Sequence, residues 1–83
     1  MTPDQFQRDV IDILGLFGKG DDEKIAMAKV LATKANNATT IENLVVYELA
    51  AMTVCTSAAG YSLETIFQMA LDKLEEEYGH EKK

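Results

Sequence analysis

The sequence predicts an all-α protein, a single four-helix bundle-like domain over 1–83. Three observations support this. Pro3 is the only proline, so no later residue interrupts a helix in the way that proline does. Residues that favour helices, namely Ala, Leu, Met, Glu and Lys, are abundant. The glycines stand at positions 15, 18, 20, 60 and 79, where turns between helices are expected.

The first two helices are predicted over about 3–17 and 22–35. Thr2 is placed to cap the first helix, with Gln5 completing a capping box. Asp21 or Asp22 is expected to cap the second helix. The apolar stripe of the first helix recurs at helical spacing and comprises Phe6, Val10, Ile13, Leu14 and Phe17.

The third helix is predicted over about 40–58, opened by Thr39 and Glu42 as a capping box. A helix that is apolar on nearly all sides is expected to be central and buried. The expected polar strip is narrow and comprises Glu42, Thr53, Thr56 and Ser57. The β-branched residues in 44–47 and 52–56 leave a short strand as the alternative.

Dimerisation is expected to complete the bundle, because the other helices of so short a chain can barely cover the third. The candidate dimer interface lies on this helix and comprises Val46, Ala50, Val54 and Ala58.

The fourth helix is predicted over 63–78, capped by Ser62, with a tail at 79–83. Its apolar stripe comprises Leu63, Ile66, Phe67, Ala70, Leu71, Leu74 and Tyr78. The opposite face is acidic, and Asp72, Glu75 and Glu76 are the candidate residues for docking a basic partner there. The alternative is a solvated face, which is the more common role of such acids.

Three further side chains belong to types that carry out chemistry in proteins. Glu48 falls among apolar residues, so it is either a ligand-binding or catalytic carboxylate or one half of a structural ion pair, and we favour the pair. Cys55 is expected in the core and His80 in a solvated tail. No metal-ligand set or cofactor is predicted.

Charge and composition restrict the partners. The net charge of −6 argues against direct binding to nucleic acid. No apolar run is long enough to span a membrane, and no signal peptide is evident, so a cytoplasmic location is expected.

About 35 residues carry a resemblance to a known family. They comprise Glu48-Leu49-Ala50-Ala51, the apolar helix, Gly60, Ser62-Leu63-Glu64 and 71–78. This pattern resembles the C-terminal half of MazG-like all-α nucleotide pyrophosphohydrolases. The resemblance implies a helical oligomer with a Mg²⁺ site built from E-x-x-E and E-x-x-D motifs. Only Glu48 matches the second motif, since Ala51 stands in place of its aspartate, and the preceding helix has no E-x-x-E.

The predicted function is a non-catalytic protein-interaction or regulatory module that acts as a cytoplasmic homodimer with a further protein partner. The alternative is a MazG-like nucleotide-binding or pyrophosphohydrolase bundle, intact or degenerate, that uses Glu48 with carboxylates of another subunit. A third hypothesis is an acidic mimic of nucleic acid that inhibits a DNA-binding protein.

Overall fold

The computed structural model describes residues 1–79 and contains four α-helices. They are α1 (Pro3–Ile13), α2 (Asp21–Asn36), α3 (Ile41–Ala58) and α4 (Leu63–Tyr78). The predicted all-α class is confirmed. The alternative of a strand in 44–47 or 52–56 is wrong, because both segments lie within α3. The prediction for His80 lies outside the described residues.

Local capping signals set most helix ends. The Thr2–Gln5 capping box is present, with the Gln5 N–H donating to Thr2 Oγ1 at 3.1 Å. Ser62 caps α4 as predicted, accepting from the Thr65 N–H at 3.2 Å. Two predicted caps were wrong by one residue, since Gly20 precedes α2 and Thr40 caps α3.

The first helix ends four residues earlier than predicted. Gly15 and Gly18 both adopt positive φ, at 70° and 77°, which a continuing helix does not permit. The chain therefore turns after Ile13, which brings Leu16 into the core and leaves Phe17 exposed. The predicted packing role of Phe17 thus falls to Leu16, which the stripe had omitted.

The third helix is the centre of the fold. α2 and α3 form a hairpin that is packed along its length, while α1 and α4 each contact α3 and one another. The core comprises Ile11, Leu16, Ala28, Leu31 and Val54. Within the described residues, α3 thus contacts every other helix, as predicted.

The buried face of α3 is not the expected one. Thr53 and Thr56, predicted to be polar and outward, are buried. Their hydroxyls donate to the carbonyls of Leu49 and Met52, at 2.7 and 2.8 Å, which satisfies them within the helix. The apolar residues Ile41, Val45, Val46 and Met52 are exposed instead. The single chain therefore leaves part of the apolar surface of α3 uncovered, as expected for so short a chain.

The fourth helix projects from the rest of the molecule. Its direction differs from that of α3 by 105°. The Cα radius of gyration is 14.3 Å, compared with about 12 Å for a closed domain of this length. α4 contacts α1 and α3 but not α2. The four helices therefore do not close around one axis.

Candidate functional site

The base of α4 is held by side chains of α1. The Leu63 N–H donates to Gln7 Oε1 at 2.9 Å, and Gln7 Nε2 donates to the Tyr61 carbonyl at 3.1 Å. The next N–H, that of Glu64, donates to Asp4 Oδ1 at 3.2 Å. A carboxylate at this position also complements the positive end of the helix dipole. α1 thereby fixes both the start and the direction of α4.

Beyond this base, the apolar stripe of α4 has no neighbour within the chain. Leu63 is buried with 1% exposure, but Phe67, Leu71, Leu74 and Tyr78 are 40%, 62%, 53% and 59% exposed. Ala70 is exposed as well. The predicted stripe is therefore real as a pattern, but the chain itself covers only its first turn. We refer to Phe67, Leu71, Leu74 and Tyr78 as the α4 seam.

The seam continues into an apolar hollow at the base of the helix. This hollow has a volume of about 250 Å³ and is lined mainly by Phe6, Leu49, Leu63 and Phe67. Side chains from α1, α3 and α4 thus meet beside the first residue of the seam. The largest apolar patch on a single chain often has a function.

The predicted docking acids lie on α4 outside the seam. Asp72, Glu75 and Glu76 are all exposed. Asp72 accepts a hydrogen bond from Gln68 Nε2 at 2.9 Å, and Lys73 lies 3.8 Å from Glu77. Exposed pairs of this type contribute little to stability. The acidic face is therefore a solvated one in this chain.

The four residues predicted as a dimer interface do not form one surface. Val54 is 0% exposed and belongs to the core, and Ala50 and Ala58 are half-buried. Only Val46 is largely exposed, at 58%. Val54 faces the core because α2 packs along α3, so a second copy cannot reach it. The prediction that these four residues form a dimer interface is therefore wrong.

Glu48 lies on an open surface and not in an apolar interior. It is exposed and borders a hollow of about 440 Å³ together with Leu44, Ala51 and Met52. Its predicted burial is wrong, so neither an ion pair nor a bound ion is required to stabilise it. Among residues 1–79, no group of three or more His, Cys, Asp and Glu side chains could hold a metal ion. Cys55, predicted to be in the core, is also exposed.

Sequence reasoning missed one cleft, of about 570 Å³, between α1, the 14–20 turn and the end of α3. Ile11 and Leu16 are its buried residues, and Arg8 and Lys24 stand among its lining side chains together with two aspartates. Within the described part of the chain, every buried side-chain polar atom already has a hydrogen-bond partner. Nothing in this mixture of charges selects a ligand.

Comparison of the chain with protein-family models, curated proteins and solved structures found no match. No individual helix in residues 1–79 combines the length and apolar character needed to cross a membrane. α3 and α4 satisfy that criterion only as a bent pair.

Proposed function

We propose that this protein is a non-catalytic interaction and regulatory module of the cytoplasm that acts as a homodimer through the α4 seam. The observation that carries the proposal is the contrast along one helix. Leu63 is buried, whereas four large apolar side chains on the same stripe stay in solvent. An amphipathic helix gains most of its stability from packing its apolar face.

The energetic argument favours a partner for this surface. Given the areas of such side chains, their exposed parts amount to on the order of 400 Å². Patches of this size on single chains are often functional. Covering a large apolar side chain completely contributes roughly 1.5–3 kcal/mol. A partner that covers the seam would therefore stabilise both the contact and the projecting helix.

The acidic face of α4 is available to a regulatory partner that carries positive charge. Asp72 and Glu76 point away from the seam, so a dimer formed through the seam would leave them accessible, while Glu75 lies at its edge. Two copies would present two such acidic faces. A basic protein could then bind without competing with dimerisation.

Sedimentation velocity over a range of protein concentrations tests the proposal. We expect wild type to show a reversible shift from monomer to dimer as the concentration rises. Leu71→Glu should remove this shift, because it places a carboxylate in the centre of the seam. Met69→Glu is the matched control, since Met69 is a similarly exposed apolar residue on another face of α4.

Two results would contradict the proposal. One is a wild-type protein that stays monomeric at every concentration. The other is a Leu71→Glu variant that dimerises as well as Met69→Glu does. Helical circular dichroism of both variants must match wild type, so that a loss of folding is not taken for a loss of association.

A further inference from the structure

The seam residues follow the spacing of a two-helix interface. They are separated by four, three and four residues, from Phe67 to Leu71, Leu74 and Tyr78. This is the a/d repeat by which one helix packs side chains between those of another. In this register Leu71 and Tyr78 occupy a positions, whereas Phe67 and Leu74 occupy d positions. The spacing therefore permits the seam to pack against another helix.

The pattern is complementary to itself when the second helix runs in the opposite direction. In an antiparallel pair, a positions of one helix lie opposite d positions of the other. Leu71 then meets Leu74 of a second copy at the centre, and Phe67 meets Tyr78 at each end. Two leucine layers flanked by two aromatic layers then make up the interface.

The charges of α4 favour the same direction. Glu75, Glu76 and Glu77 stand together at the C-terminal end, where the helix dipole is already negative. A parallel pair would bring two such triplets side by side. An antiparallel pair separates them and places each triplet towards the N-terminal half of the other helix. Glu75 then flanks Gln68, and Glu77 flanks Ala70, so no carboxylates face each other directly along the seam.

We infer that the α4 seam binds the α4 seam of a second copy of this chain, antiparallel, with Phe67 packed against Tyr78 and Leu71 against Leu74. This inference rests on the proposed homodimer and specifies its packing. The seam supplies on the order of 400 Å² from each copy, about half of the roughly 800 Å² that each partner buries in a standard interface. The dimer is therefore weak and depends on concentration.

Disulfide trapping of the full chain tests the packing. Phe67→Cys and Tyr78→Cys are made separately in a Cys55→Ser background, and each is oxidised alone and as a mixture. Position 67 of one copy lies beside position 78 of the other, so a covalent dimer should form in the mixture. Each variant alone should stay monomeric after oxidation, because its two cysteines lie about 16 Å apart along the helix axis.

Phe67 also lines the hollow beside Leu49, so Phe67→Cys removes packing within the chain. A second pair of cysteine variants avoids this loss. Gln68→Cys and Glu75→Cys change exposed residues at the edge of the seam. They should also cross-link more efficiently in the mixture than either does alone.

The outcomes separate the two claims. Cross-linking of Phe67→Cys or Tyr78→Cys alone would show a parallel pair, which overturns the inference and leaves the homodimer standing. A concentration-dependent dimer that no pair of cysteines traps would place α4 against another element. This result would also overturn the inference and leave the homodimer standing. A chain that sediments as a monomer at all concentrations would overturn both the inference and the proposed function.

Discussion

The Leu63 N–H, which begins α4, donates a 2.9 Å hydrogen bond to the side chain of Gln7, 56 residues earlier in the chain. The Nε2 atom of the same Gln7 side chain donates to the Tyr61 carbonyl, on the other side of the Ser62 cap, at 3.1 Å. One side chain of α1 therefore spans the turn between α3 and α4. This connection sets the direction in which α4 carries its seam away from the core.

Replacing Gln7 should loosen that turn. Gln7→Ala removes both hydrogen bonds and leaves the half-buried Leu63 N–H without its partner. We expect the free energy of unfolding to fall by about 1–2 kcal/mol, with faster amide exchange at Leu63 and Glu64. Gln7→Glu keeps the acceptor for the Leu63 N–H, so its free energy of unfolding should fall by less. Unchanged exchange at Leu63 in Gln7→Ala would show that the turn does not depend on this side chain.

The burial of Val54 predicts a contrast with Val46 on the same helix. Val54→Ala should lower the free energy of unfolding by about 2 kcal/mol, because it opens a cavity in the core. Val46→Ala should change it by less than about 0.5 kcal/mol, since its side chain is mostly in solvent. Urea denaturation measures both. Equal losses for the two variants would contradict the observed orientation of α3.

The turn after α3 depends on the backbone freedom of Gly60. Its φ is +84°, and a Cβ built there meets no heavy atom within 4 Å. The penalty for Gly60→Ala is therefore conformational, and we expect about 1 kcal/mol of destabilisation. Asn tolerates this conformation better, so Gly60→Asn should lose less. If both variants lowered the melting temperature by the same amount, the cause would be steric instead.

The exposure of Glu48 leads us to expect no response to metal and nucleotide. A ligand that binds the folded state raises the melting temperature. Because we expect no such binding at Glu48, a panel of Mg²⁺, Mn²⁺ and nucleoside triphosphates should leave the melting temperature unchanged. Glu48→Gln and the control Glu42→Gln, on the same helix, should behave as wild type does. A shift that requires both metal and nucleotide and disappears only in Glu48→Gln would instead support the MazG-like alternative.

Much of the helical structure follows from short stretches of sequence. The limits of α4 were predicted to the residue because Ser62 and the stripe from Leu63 to Tyr78 are local signals. The end of α1 was missed because the apolar spacing runs on to Phe17, while the positive φ of Gly15 breaks the helix before it. Periodicity alone does not show which of two competing local signals will decide the boundary.

The sequence predicted the residues of the candidate surface but not their role. The stripe of α4 was predicted, but the dimer interface was placed on α3. The orientation of α3 was the reason for this error. Thr53 and Thr56 can be buried because their hydroxyls bond to carbonyls within the helix, so a polar residue type did not mark the solvent side.

The sequence by itself determined four helices, the caps of α1 and α4 and the apolar stripe of α4, because capping and periodicity act over one or two turns. The tertiary structure alone decided that Val54 is enclosed, that Glu48 is in solvent and that the seam of α4 is uncovered. The first two outcomes depend on how α2 packs along α3. The third depends on the 105° angle between α3 and α4 and on hydrogen bonds across more than fifty residues. Contacts over such separations arise from packing the whole chain and have no signature in a short window of sequence.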